Sequence, residues 1–382
     1  MEPESRADAP GELGGGPLEP SASAARAPLV TTRRSAASVV HLRGQWFIAA
    51  TSRQLGARPL ATTLFGTPIV LFRGKEGKAG ALVDRCPHRN VPLSLGQVTD
   101  DGTLRCAYHG WRFDTDGACT FIPSLTGPCA ARSRNAHGLP TIEQQGFVWV
   151  YTSPSQGGDE TPDTVPHRFA YLGKKGYSTV AQVVEAPGTM YSTLENALDV
   201  PHTAFLHRGL FRSESRGITI TAKVQRTKDR VVAEYVGEPR PPGLIARILS
   251  PSGGIVTHFD RFLLPSIAQV EYSIGTENHL LVDSVMTPIT DYVTRIYAVV
   301  SFRSRLPHFL IRPFIKPLAL RVFTQDAFIL GKQTETIQAF GGEQFASTEI
   351  DVLGRHIWRL LKQAERGDVH GGEESGEVKL VV

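Results

Sequence analysis

What this chain has little of narrows its class before any motif is considered. No stretch approaches the ~20 uncharged apolar residues of a membrane-crossing helix. The nearest, Phe309 to Leu320, is interrupted by Arg312, Pro313, Lys316 and Pro317 and reads as part of a folded domain that touches something apolar, with a peripheral membrane contact over 309–323 left open. Charge of one sign is also scarce, since a net +4 over 382 residues gives no reason to expect nucleic acid as a partner. No signal peptide is evident: residues 1–28 lack an apolar core and carry five acids, which also argues against a transit peptide. They read as a disordered tail of a cytoplasmic protein. No Gly-x-Gly-x-x-Gly fingerprint occurs, so a nicotinamide or flavin is not expected on the chain itself. There is no internal repeat at a fixed period.

The cysteines number four, and two of them stand in a specific pattern. Cys86-Pro87-His88 is followed after seventeen residues by Cys106-Ala107-Tyr108-His109-Gly110-Trp111. Each short loop offers one thiolate and one imidazole, the ligand set of a [2Fe-2S] centre in which two His replace two Cys on one iron. A tetrahedral zinc site takes the same residue types, but zinc fingers pair Cys with Cys and His with His, whereas here each loop is mixed. Cys119 and Cys129 are left over and read as free thiols of a reducing compartment. Arg85, Arg89, Arg105 and Arg112 crowd the two loops, either as solvated charges or as a docking surface for an acidic redox partner.

Length and breakpoints predict two domains between two tails: a tail over 1–28, an all-β domain over 29–155, a second domain over 156–366 and a tail over 367–382. In the first domain, apolar runs such as Trp46–Ala50, Ile69–Phe72, Ala81–Asp84 and Phe147–Val150 alternate with turn signals. The Pro-, Ser-, Gly- and Asp-rich stretch 152–166 reads as a linker. Beyond it, seven strand-like runs follow one another with few helices, which implies an antiparallel sheet and an α+β class. Two helices are expected, one around Met190–Leu206 and one from near Pro317 to about Phe340.

The first helix contains Glu195-Asn196-Ala197-Leu198-Asp199-Val200-Pro201-His202 and, five residues on, His207. Residues five apart share a helix face only if the helix kinks or ends between them, and Pro201 supplies a cause. Two imidazoles and one carboxylate make the facial triad of non-haem Fe(II), with open positions for O2 and substrate. The carboxylate must come from elsewhere, and Asp326 in the second helix is the candidate. His137, His258, His279 and His308 carry no context and default to structural roles.

The cluster motif resembles the Rieske domain of ring-hydroxylating and demethylating oxygenases. Asn196-x-x-Asp199-x-x-His202-x4-His207 is similar to the mononuclear-iron motif of their α-subunits, and Gln325-Asp326 with Leu330 and Gln333 resembles their late third-ligand segment. The similarity spans about Trp46 to Leu361, and the Asp84–Gly96 and Ile329–Gln333 runs look most like the branch of chlorophyllide a and pheophorbide a oxygenases. Ala107 replaces a frequent Pro and Gly331 a common acid, without removing a ligand.

The resemblance implies an N-terminal Rieske [2Fe-2S] domain held by Cys86, His88, Cys106 and His109, and a helix-grip catalytic domain in which His202, His207 and Asp326 hold Fe(II). It implies O2 as co-substrate, a small hydrophobic aromatic or polycyclic substrate that is hydroxylated or demethylated, and electrons from NAD(P)H delivered through a separate ferredoxin or ferredoxin reductase. It further implies a homotrimer in which Asp199 bridges His109 of one subunit to His202 of the next, with Asn196 beside the iron. The alternative is a Rieske electron-transfer or sensing protein without oxygenase activity.

Overall fold

The computed structural model describes residues 37–152, 161–207, 217–238, 256–275, 278–304, 308–368 and 372–381. The expected N-terminal tail and most of the linker lie outside these residues.

Three small antiparallel sheets make up the N-terminal part. Gln45–Thr51, Phe147–Thr152 and Thr141–Gln144 form one, and Leu60–Leu64, Thr67–Arg73, Ala79–Val83 and Gly138–Leu139 form the second. The third is a meander of Gln97–Val98, Leu104–Arg105, Arg112–Phe113 and Cys119–Phe121. Phe47, Ile69, Leu71, Val148 and Val150 are fully buried, as expected of strands packed on both faces. A separate cluster built on Val70, Phe72, Leu82, Leu93, Leu104 and Phe113 encloses Cys86 and Cys106. The core under the two loops therefore fixes their sulfurs from behind.

The C-terminal part is one antiparallel sheet of eight described strands. In chain order they are β1 (Ser178–Ala186), β2 (Thr219–Arg226), β3 (Arg230–Val236), β4 (Val256–Leu263), β5 (Ile267–Ile274), β6 (Asn278–Thr290), β7 (Val293–Arg303) and β8 (Glu374–Val381). Their spatial order is β1-β7-β6-β5-β4-β3-β2-β8. Along β2, β3 and β4, buried residues alternate with half-buried or exposed ones at the strand period of two, so one face is turned to the core. Three described α-helices cover that face: α1 (Met190–Ala197), α2 (His308–Ala339) and α3 (Gly354–Arg366). The α+β class and the antiparallel sheet agree with the sequence analysis.

Four details correct it. The helix expected over Met190–Leu206 is two pieces, because α1 ends at Ala197 and a separate turn of 3-10 helix runs Pro201–Ala204. Pro201 lacks the donor that would continue the first piece. In contrast, α2 begins at His308, ahead of the expected start, and contains Pro313 and Pro317. Packing there outweighs propensity: Ile311 and Ile315 press against Val180, Leu280 and Phe302, and Gln182 on β1 donates to the Lys316 carbonyl at 2.7 Å. Third, α3 was missed although Leu353, Ile357, Leu360 and Leu361 stand at helical spacing and are buried, each contributing roughly 1.5–3 kcal/mol. Finally, the expected tail 367–382 contains β8, which pairs along its length with β2 from Thr219↔Val381 to Arg226↔Glu374. Glu and Gly on an edge strand with one exposed face hid a pattern carried by Val378 and Leu380.

Cluster loops and candidate metal centre

The two Cys/His loops share one backbone design. Cys86 N–H donates to the Val91 carbonyl and Asn90 N–H returns to the Cys86 carbonyl, both at 2.9 Å. In the second loop Cys106 N–H donates to the Trp111 carbonyl at 2.8 Å and Gly110 N–H returns to Cys106 at 3.1 Å. Each loop therefore turns at the fourth residue after its cysteine, where the chain is left-handed: Asn90 at φ 61° and Gly110 at φ 71°. Asn and Gly are the residues that take this conformation at least cost. The first loop follows strand Ala79–Val83, and the second joins Leu104–Arg105 to Arg112–Phe113.

These turns divide the ligands by chemistry. The cysteines are buried (2% and 3% exposed) and the imidazoles face outward. Burial and the adjacent Cys106 thiol push the Cys86 thiol pKa up to about 11. A buried thiol that resists ionising alone, with a second buried thiol beside it, suits a cation that displaces both protons. The His88 and His109 rings lie 4.5 Å apart, and Trp111 stacks on His88 at 4.8 Å and 6°. The four residues thus offer a sulfur pair inside and a nitrogen pair outside, which fits a [2Fe-2S] cluster with unlike irons. Among the surrounding arginines, Arg85 donates to Asn90 at 2.7 Å and Arg112 pairs with Asp101 at 3.2 Å. Cys119 and Cys129 are free thiols, as expected.

In the C-terminal part, the break between α1 and the Pro201–Ala204 turn aims the two histidines at one point. His202 Nε2 and His207 Nε2 are 3.3 Å apart, and Asp326 Oδ1, from α2, lies 3.7 Å and 3.1 Å from them. Cis ligands of an octahedral ion at about 2.1 Å stand about 3 Å from each other. Asp326 Oδ1 is buried and has no hydrogen-bond partner, so an acceptor is held out of water facing two imidazoles. Among the described residues this is the group of His, Cys, Asp and Glu side chains arranged to hold a single ion. These residues fit the facial triad.

Gln325, next to Asp326 in sequence, receives a hydrogen bond from His207 Nδ1 at 3.0 Å, which leaves Nε2 as the lone-pair nitrogen. Burial opposes protonation of His207, but Asp326 and Gln325 more than offset it and its pKa lies above the ordinary value. Asp199 accepts the His202 backbone N–H at 3.2 Å and stands 3.3 Å from His202 Nδ1 outside hydrogen-bond alignment. Its side chain is 31% exposed.

The triad opens on an apolar cavity of about 220 Å³ between the sheet and α2. Val270, Leu280, Val282, Met286, Leu318 and Phe323 are among its walls. Asn196 lines this cavity and also a cleft of about 790 Å³ on the other side of the same turn, where Asp199, His202 and Phe205 are reached.

Comparison with known proteins follows the same division. Residues 45–142 match the Rieske [2Fe-2S] domain, and residues 189–367 match the vanillate O-demethylase oxygenase C-terminal domain. The chain carries the two domains of a Rieske oxygenase. It is 30% identical over 342 residues to chlorophyllide a oxygenase of Chlamydomonas reinhardtii, covering 87% of this chain and 50% of that one. It is 32% identical over 167 residues to the oxygenase component of dicamba O-demethylase of Stenotrophomonas maltophilia, covering 44% of this chain and 48% of that one. The chain spans about half the length of these curated relatives. A crystal structure of dicamba monooxygenase bound to 3,6-dichlorosalicylic acid shares the fold at a TM-score of 0.72 and 21% identity, over 87% of this chain and all of that one.

In this chain, the structure brings Cys86 and Cys106, His88 and His109, and His202, His207 and Asp326 together as three groups. It does not join the first two groups to the third: His109 meets the rings of His88 and Tyr108, and Asp199 meets His202. Gln325 was legible only as part of a motif, and its contact with His207 bridges 118 residues of sequence. No described helix is long and apolar enough to cross a membrane.

Proposed function

We propose that the chain is a Rieske-type oxygenase that uses O2 and externally supplied electrons to hydroxylate or oxidatively demethylate a hydrophobic aromatic or polycyclic substrate. Cys86, His88, Cys106 and His109 hold the cluster, and His202, His207 and Asp326 hold one Fe(II). The observation that carries this is a two-His, one-carboxylate group, with His207 and Asp326 buried and His202 half-buried, opening on a mostly apolar cavity in the same chain as two Cys/His loops. When bound, the two groups supply one-electron transfer and O2 activation at an iron with open positions.

The chain's own residues do the rest. The triad occupies one side of its ion and leaves the cavity side to substrate. Gln325 fixes the His207 ring and its tautomer, the kind of outer contact that is worth 10–100-fold in metal affinity. The apolar walls bind a ring system by removing its surface from water and keep bulk water from the reacting carbon. Outside, Tyr108 (63% exposed) and Leu95 (67%) lie in the cluster region with Arg85 and Arg89, a surface suited to an acidic ferredoxin or reductase.

The electron route runs between subunits of a homotrimer, from His109 of one chain through Asp199 to His202 of the next. Among the described residues the Asp199 carboxylate accepts from His202, and at 31% side-chain exposure it is open to a neighbour's imidazole. Mixed oligomers test this route. Cys86→Ser chains and Asp326→Ala chains are each inactive alone, and co-assembled through two tags they regain part of the wild-type turnover. Adding Asp199→Asn to the chain with the intact iron site removes the gain. Verified mixed oligomers that stay inactive would contradict the route.

The activity itself is tested by substrate-dependent O2 uptake with reductant across an aromatic panel, with ¹⁸O2 label followed into product. Labelled alcohol, or aldehyde released by demethylation, is the expected result. Protein with both groups loaded that cycles its cluster yet oxygenates no member of the panel would overturn the proposal.

A further inference from the structure

His258 and Asp260, which the sequence analysis left without a role or did not single out, line the same cavity as the triad. Both are on β4, two residues apart, so they share its buried face with Phe262. His258 is 1% exposed and both ring nitrogens are engaged: Nδ1 with Glu238 at 2.6 Å and Nε2 with Asp260 at 3.0 Å. The register places Tyr235 of β3 and Tyr272 of β5 opposite it, and their rings stack on the imidazole at 4.6 Å and 4.0 Å. Burial alone would lower the His258 pKa, but the two carboxylates raise it to about 9. At neutral pH the ring is therefore an imidazolium, sandwiched between two aromatic faces and pinned at both ends.

Two consequences follow for a molecule in the cavity. The imidazolium has no N–H left to donate. Two carboxylates, Glu238 and Asp260, face the one imidazole. Asp260 is 1% exposed, and its contact with His258 Nε2 runs through Oδ1. A carboxylate lining a mostly apolar chamber is stabilised by a hydrogen-bond donor that a ligand brings.

We propose that Asp260 is a specificity-determining residue that accepts a hydrogen bond from an N–H or O–H group of the ring substrate, and that the site discriminates against carboxylate-bearing substrates. The proposal rests on the oxygenase reading for its site and adds the polar half of the substrate. His258 is a positioning residue, holding the carboxylate rigid against the sheet. The rest of the ligand lies on Val270, Leu280 and Val282.

The test is calorimetric and needs no turnover. Naphthalene, 1-naphthol, 1-naphthylmethylammonium and 1-naphthoate are titrated into the iron-loaded full-length protein. The naphthol and the ammonium should bind at least about tenfold tighter than naphthalene, and naphthoate weaker than naphthalene. In Asp260→Asn the advantage of the ammonium over naphthalene should fall to within about threefold, with naphthalene affinity unchanged. Wild-type protein alone is decisive if the variant does not fold: naphthoate binding as tightly as the ammonium, or none of the four binding, overturns the proposal. Iron content and O2 uptake, measured separately, report on the oxygenase reading, so failure of one does not mimic failure of the other.

Discussion

The cluster loops and the triad place their proposed metal ligands by opposite means. In the loops, four residues within one short stretch are positioned by two copies of a local hydrogen-bonded turn, each closed by a left-handed residue, Asn90 or Gly110. In the triad, a broken helix supplies two imidazoles and α2 supplies the carboxylate, so the geometry exists only when the sheet, α1 and α2 are packed. The loop imidazoles face outward where electrons can arrive, and His207 and Asp326 are 2% and 8% exposed. A locally coded site is tolerant of changes elsewhere in the fold. A site assembled from distant elements is sensitive to its supports.

Substitutions can break this comparison, beginning with the largest effect. Cys86→Ser should abolish the red-brown colour and the low-g paramagnetic signal of the reduced cluster, together with turnover, while the triad keeps its ion; iron analysis with visible and paramagnetic spectroscopy checks all three. Asp326→Ala should do the reverse, losing the mononuclear iron and turnover with an unchanged cluster spectrum, because two protein ligands remain. If Asp326→Ala retains full activity, the third ligand lies elsewhere.

Smaller effects sharpen the contrast. Gln325→Leu should lower iron affinity at the triad by about 10–100-fold in a chelator competition, through loss of the His207 partner. The cluster should not respond. Gly110→Ala forces a Cβ into a left-handed position and to within 2.9 Å of Pro123, and should cost about 1–2 kcal/mol of stability in denaturant unfolding. Asn90→Ala, where the position already tolerates a side chain, should cost less. Equal losses would mean that the two turns do not bear strain as described.

The same contrast decides what could be read from the amino-acid order. Cys86, His88, Cys106 and His109 were legible because their geometry is coded by neighbours in sequence. His202 and His207 were legible as a pair, and Pro201 gave the reason their helix had to break. Asp326 drew on family resemblance, since no spacing relates it to a residue more than a hundred positions earlier. The His258-Asp260 pair was missed because a lone His in a strand is usually structural; its signal was the period-two pairing of His258, Asp260 and Phe262 on one face. The β8 strand was hidden by edge-strand polarity, and α2 began early because tertiary packing overrode two prolines.

Metal and sulfide content of the purified protein tests the central claim most directly, namely that one chain holds two independent iron sites. The account predicts three irons and two acid-labile sulfides per chain, falling to two irons with sulfide unchanged in Asp326→Ala. Wild-type protein with two irons and two sulfides, or colourless protein with stoichiometric zinc, would contradict it.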